Sequence, residues 1–237
     1  MESESRPAVA VSACLLGENV RYDGSHKLDA WITGSLSSYV SLISFCPEIR
    51  MGLGSPRPTL HLTAENPVRM LETATGRDVS SLAHQASAQI FAELRNARCV
   101  AVILKSRSPS CGIEVSTRAN ASERPGSSPG IFAETLLHAS GMLLVEETAL
   151  QTETARHDFV EAVFALERFR CMETGTAALQ AFHRKNECLL MARDSTLCAR
   201  LGKVAANSAR LPGVEVMQQY RKELLSLFEK NLRNQAA

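Results

Sequence analysis

The sequence predicts an α/β fold, a Rossmann-like parallel sheet flanked by helices, with a small all-helical C-terminal domain behind it. Three observations carry this expectation. Residues 9–13, 42–45 and 100–104 are short, apolar and rich in β-branched side chains, as strands buried on both faces are. Stretches of helical period separate them. Beyond Glu146 only helical periodicity remains, which divides the chain into 1–150 and 151–237.

Taken in order, the first strand runs into Cys14 and a loop closed by the turn Arg21-Tyr22-Asp23-Gly24. A helix is predicted over 28–39 and a second strand over 42–45, completing a βαβ unit. Gly52, Gly54, Pro56 and Pro58 then interrupt regular structure. The pieces 59–62 and 68–71, around Asn66-Pro67, read as an edge hairpin. Asp78 or Ser80 caps a helix whose Leu82, Ala86, Ile90 and Leu94 recur every four residues. After the third strand, residues 118–130 are mostly Ser, Pro, Gly and Ala and are expected to form a mobile surface loop, a candidate lid. A helix over 131–139 and a strand over 142–145 follow. A polar linker at 147–153 leads to helices at 159–169, 177–192, 197–206 and 217–232, the last with Met217, Tyr220, Leu224 and Phe228 on one face.

Composition narrows the function. The 237 residues are 45% hydrophobic, enough for a core, and the net charge is +1, so no global basic field marks a nucleic-acid binder. No apolar stretch approaches the ~20 residues that cross a bilayer, and the first seven residues are polar and acidic. A soluble, cytoplasmic protein is expected. The seven cysteines are an odd number and contain no C-x-x-C pair.

Cys14, Cys46 and Cys111 each follow a predicted strand within a short turn-forming motif. Ligands of open α/β sheets bind at the carboxyl ends of strands, so three thiols far apart in sequence are expected to converge there. A structural zinc site normally takes four ligands from close pairs, whereas three thiolates suit an iron–sulfur cluster with one iron lacking a protein ligand. Disulfides are disfavoured by the absence of a secretory signal. Cys99, Cys171, Cys188 and Cys198 read as packing residues.

Three stretches resemble one family. They are 11–24 (Val-Ser-Ala-Cys-Leu-Leu-Gly-Glu-Asn-Val-Arg-Tyr-Asp-Gly), Cys46-Pro47-Glu48 with Gly52-Leu53-Gly54-Ser55-Pro56-Arg57-Pro58, and 103–112 ending in Ser108-Pro109-Ser110-Cys111-Gly112. Together they are similar to the DUF523 family, which includes the thiouracil desulfurases, over residues 8–150. The tail, through 179–183 and 189–192, resembles a shortened DUF1722 helical domain, with Asn186-Glu187 where that family usually has a His-Lys pair.

The resemblance implies a [4Fe-4S] cluster held by Cys14, Cys46 and Cys111, its fourth iron free to take the sulfur of a thiocarbonyl. Glu48, two residues from Cys46, is then the expected general acid/base; a salt bridge to Arg57 is its ordinary alternative. Ser108 and Ser110 are expected to act in catalysis by hydrogen-bonding substrate or cluster sulfurs, with plain turn chemistry as the rival reading. Arg21 and Asp23 would orient a polar ring or ribose, and Lys105 and Arg107 would meet a nucleotide phosphate. The implied activity is removal of sulfur from a thiolated pyrimidine, whether base, nucleoside or tRNA. Its alternatives are a non-catalytic metal or cluster-binding module with a partner-binding tail, and a thiol-nucleophile hydrolase, which lacks a histidine motif near any thiol. The tail reads equally as an oligomerisation surface giving a homodimer, an RNA-docking unit, or a cap on the sheet.

Overall fold

The computed structural model describes residues 6–119, 126–139, 141–207 and 209–235. The first strand, β1 (Ala8–Ser12), has Val9, Ala10 and Val11 with no exposed surface. A 3₁₀ turn at Ala13–Leu16 ends on Gly17, whose φ of 91° a side chain would strain. The chain returns beneath this turn, where the N–H groups of Lys27 and Asp29 reach the carbonyls of Cys14 and Leu15 at 2.8 and 2.9 Å. Asp29 then caps the next helix, its Oδ1 accepting from the N–H of Trp31 and Ile32 at 3.0 and 3.1 Å. That cap starts the helix at residue 30 instead of 28. The helix widens to a π-turn at Ile32–Leu36 and finishes as α1 (Ser37–Tyr39) before β2 (Ser41–Phe45).

Pro47 opens α2 (Pro47–Arg50) at a position where a missing N–H costs nothing. The expected hairpin is present as β3 (Leu60–Thr63) and β4 (Met70–Glu72), paired antiparallel. Asp78 Oδ1 accepts from Ser80 N at 2.8 Å and begins α3 (Ser80–Asn96). After β5 (Ala101–Leu104) come β6 (Val115–Arg118) and β7 (Ser127–Ser128), then α4 (Ile131–Ala139) and β8 (Leu143–Glu146).

The principal sheet has the order β2-β1-β5-β8, and all three pairings are parallel. Its helices bury Ile90, Leu94, Phe132 and Leu136 against Val102, Leu104 and Leu144. A second sheet, β4-β3-β6-β7, was not expected from the sequence. It draws Arg118, Ser127 and Ser128 out of the predicted surface loop, because β6 pairs with β3 on one side and β7 on the other. The lid assigned to that loop falls chiefly on 120–125, outside the described residues. Leu62, Met70, Val79, Ala83, Val115 and Ile131 form the core of this second layer.

The chain divides into two compact units, Met1–Thr148 and Ala149–Ala237. The second is helical: α5 (Glu153–Cys171), α6 (Thr176–Arg193), α7 (Ser195–Ala206) and α8 (Gly213–Gln235). Thr152 and Asp194 cap α5 and α7 through their side chains. The buried face of α8 runs through Val216, Tyr220, Leu224, Leu227, Phe228 and Leu232, with Met217 only half-buried. Cys99 and Cys198 are buried as expected of packing residues; Cys171 and Cys188 are exposed, which corrects the expectation for these two, and Cys171 lies 3.6 Å from Glu167 Oε1. No helix among the described residues is long and apolar enough to cross a membrane.

Phe132 has no exposed surface and its ring lies 5.0 Å from that of Phe45, at the end of β2. Phe132→Ala should therefore cost about 3–5 kcal/mol in equilibrium urea unfolding; a loss below about 1 kcal/mol would contradict this packing.

Candidate functional site

Strand register places the site. Ser12 stands opposite Phe45 and Val11 opposite Ile103, so β1, β2 and β5 end level with one another. Cys14 lies on the 3₁₀ turn just beyond β1, and Cys46 follows β2 directly. Cys111 is brought back by the loop after β5. Ser108 Oγ accepts from the N–H groups of Ser110 and Cys111, each at 3.2 Å, and Gly112 N closes on Ser108 O at 2.8 Å. The start of α4 then holds this loop from outside. N–H groups of Gly130, Ile131 and Phe132 reach the carbonyls of Gly112, Pro109 and Ser110 at 2.8, 3.2 and 3.0 Å. A Cβ on Gly130 would sit 2.5 Å from the carbonyl carbon of Ser110, so no other residue fits this approach.

The three thiols line one cavity of about 500 Å³, together with Glu48, Arg57 and Ser108. All seven cysteines are free. Burial, with Glu48 second, pushes Cys14 up to about 11 and Cys46 up to about 12. Cys111 is driven well above the ordinary thiol value by its complete burial, then by Glu48 and Cys46; a hydrogen bond from Ser12 opposes this.

Glu48 is where the two sequence readings meet. Its Oε2 accepts from the Cys46 thiol at 3.3 Å and faces Arg57 Nη2 at 3.7 Å, and its Oε1 accepts from Ser108 Oγ at 3.3 Å. The ion pair with Arg57 is thus real, and it fixes the carboxylate inside the cavity. Arg57 Nη1 also donates to the carbonyls of Val20 and Gly54, both at 2.7 Å, so the guanidinium is itself immobilised.

The remaining candidates divide. Ser110 is buried and outside the cavity lining, and its hydroxyl has no hydrogen-bond partner among the described residues. Arg21, Lys105 and Arg107 line the cavity. Lys105 Nζ is bonded to the Glu147 carboxylate and to Ser106 O and Oγ at 3.0 Å, which leaves it little freedom to follow a ligand. Arg107 is exposed, with a φ of 56°. Asp23 does not line the cavity. It accepts from Ser25 N and Oγ at 3.1 and 2.6 Å, which holds its carboxyl below the usual range, and it lies 3.6 Å from Arg21.

Sequence reading missed Ser12, which accepts from Lys105 N at 3.0 Å beside Cys111, and Glu147, which accepts from Ser106 N and Oγ at 2.7 and 2.8 Å. Glu147 had been assigned to the linker, yet it directly follows the carboxyl end of β8. Applying the strand-end argument to the fourth strand would have found it.

The spread of the thiols bears on what they hold. Among the described residues, the set of three metal-ligating atoms lying within 4.8 Å of one another is His157, Asp158 and Glu161, whose carboxylates pair with Arg193. Cys14, Cys46 and Cys111 do not form such a set, so at least one pair of their sulfurs is more than 4.8 Å apart. Sulfurs sharing one tetrahedral zinc at about 2.3 Å lie roughly 3.8 Å apart.

A model of the 2-thiouracil desulfurase family matches residues 9–148. An uncharacterized protein, YbbK of Bacillus subtilis strain 168, is 31% identical over 148 residues, which are 60% of this chain and 97% of YbbK. The solved structure of the [4Fe-4S]-dependent thiouracil desulfidase TudS is 27% identical with a TM-score of 0.52, covering 65% of this chain and 99% of TudS.

Gly130→Ala should lower stability by about 1–3 kcal/mol through overpacking against the loop that carries Cys111. Gly34→Ala, where an added Cβ meets nothing within 4 Å, should not; equal thermal melts for the two variants would contradict the close approach. In the metal-free chain the thiols of Cys14 and Cys46 stay protonated in the fold at pH values where they ionise on unfolding. The native state then binds more protons, so stability falls as pH rises from about 9 to about 11. Tm measured across that window should decrease, and less steeply for Cys14→Ser.

Proposed function

The chain belongs to the 2-thiouracil desulfurase family, and on that premise we propose that it converts the thiocarbonyl of a thiolated pyrimidine to a carbonyl, using a [4Fe-4S] cluster on Cys14, Cys46 and Cys111. One observation carries the reading. Three free thiols from three strand ends line a single cavity, with a carboxylate 3.3 Å from one of them. The donor set suits the cluster in number and in softness.

A cluster held by Cys14, Cys46 and Cys111 would supply a thiophilic Lewis acid for the sulfur of the substrate. Glu48 handles the proton. Water attacks the thiocarbonyl carbon and gives a proton to the carboxylate as the carbon–oxygen bond forms; Glu48 returns it to the departing sulfide. Water and a thiocarbonyl thereby give a carbonyl and hydrogen sulfide with no change in oxidation state. Ser108 and Arg57 fix the two oxygens of Glu48, so the carboxylate is oriented before substrate arrives. Arg21 and Arg107 are cavity cations for the polar substituents of the ring or of an attached ribose, and Asp23 steadies Arg21. Lys105, tied to Glu147, shapes the loop before Cys111. All of these groups lie within residues 1–150.

The test is anaerobic reconstitution followed by sulfide release from 2-thiouracil, 4-thiouracil, their nucleosides and thiolated tRNA. The loaded protein should be brown, and its visible absorption should shift with substrate. Glu48→Gln should keep its iron and lose at least about 10²-fold in kcat. A colourless preparation with full activity would overturn the proposal, and unchanged kcat in Glu48→Gln would remove that residue from the mechanism.

A further inference from the structure

Tyr22 lines the cavity with the three thiols, yet the chemistry above does not use it. The side chain is 45% exposed, so it is not a core residue that happens to border the site. Its backbone is fastened on two sides. Tyr22 O accepts from Arg57 N at 2.9 Å, and Arg57 Nη1 donates to Val20 O at 2.7 Å. Ser55 Oγ lies 2.7 Å from Asn19 O and 3.0 Å from Arg21 O. The turn closes through Gly24 N on Arg21 O at 3.0 Å, with Gly24 at a φ of 74° that needs glycine.

Arg57 has a second consequence here. The same side chain that anchors the backbone of the Tyr22 turn also faces Glu48, so that turn and the carboxylate are held by one guanidinium. The Arg21 guanidinium lies over the Tyr22 ring, 5.4 Å from its centroid. An aromatic ring left in solvent on a fixed backbone beside a ligand cavity presents a flat π-surface whose ordering has already been accomplished by the fold. Flat heterocycles stack on such a surface whatever their exocyclic groups.

We propose that Tyr22 is a substrate-binding residue: its ring stacks on the pyrimidine of the substrate and so holds that ring in the cavity lined by the three thiols. The identity of the ligand rests on the desulfurase reading. The stack itself requires only a planar heterocycle in the cavity.

The anaerobically reconstituted protein and its Tyr22→Ala, Tyr22→Phe and Tyr22→Leu variants test this with two readouts. Equilibrium dialysis measures the affinity for uracil, which carries no sulfur and undergoes no reaction, and steady-state kinetics give kcat and KM for thiouracil. Tyr22→Ala and Tyr22→Leu should weaken uracil binding and raise KM by about tenfold, with a much smaller effect on kcat, while Tyr22→Phe stays within about twofold of the parent. Leucine keeps apolar bulk without a π-face, so the Phe/Leu contrast decides the matter even if the alanine variant is less stable. Equal affinity in the leucine and phenylalanine variants would overturn the proposal, as would unchanged uracil affinity and KM in both Ala and Leu. Tyr22-dependent uracil binding without any sulfide release by the parent protein would leave the stack standing and remove the desulfurase reading. Sulfide release at the parental KM in all three variants would do the reverse.

Discussion

The site depends on the parallel register of β1 between β2 and β5. With Ser12 opposite Phe45 and Val11 opposite Ile103, three strand ends come level, and residues 14 and 46 leave the sheet at the same edge. Side chains alternate faces along a strand, so a slip of one residue in either pairing would exchange the side chains packed on the two faces of the sheet. Val9, Ala10, Val11, Val102 and Ile103 have no exposed surface, which penalises every other register. The third thiol needs a further device, because six residues separate Cys111 from the end of β5. The glycine contact at the start of α4 provides it by pressing the loop 108–112 back toward the strand ends.

Burial makes this arrangement unfavourable for thiolates on their own. Desolvation is the largest cause of the upward shift at all three cysteines, and the neighbouring Glu48 adds to it. Metal coordination would reverse the first of these effects, since bonds to iron replace the solvation the thiolates lose. The burial of the three thiols and the chemistry of a cluster are therefore compatible. Lys105 and Arg21 near Cys14, Arg57 and the Ile49 N–H near Cys46, and Ser12 beside Cys111 oppose the shift, and two of these, Arg57 and Lys105, are partly spent on Glu48 and on Glu147.

Much of this was legible in the sequence, for identifiable reasons. The strands before Cys14, Cys46 and Cys111 are continuous apolar runs, and the helices ending in Leu94 and beginning at Ile131 have clear periods, so the principal sheet and its cover followed. The second sheet did not, because β6 offers only four alternating residues and β7 two serines, too short for any period to register. The helix start was misplaced by two residues because the cap at Asp29 lies inside the apparent pattern. At the site, cysteines and a nearby glutamate announce themselves by type. Ser12, Glu147 and Tyr22 do not, since a serine in a strand, a glutamate after one and a tyrosine in a turn are all commonplace residues whose role comes from what the fold sets beside them.

The central claim is that these three thiols hold one inorganic cofactor and leave a metal atom open. Iron-edge anomalous scattering from crystals of the anaerobically reconstituted protein tests it most directly. The account predicts a single four-iron centre bonded to the sulfurs of Cys14, Cys46 and Cys111, with one iron bearing no protein ligand. A fourth protein ligand on that iron, a lone metal ion, or iron bound elsewhere in the chain would contradict it.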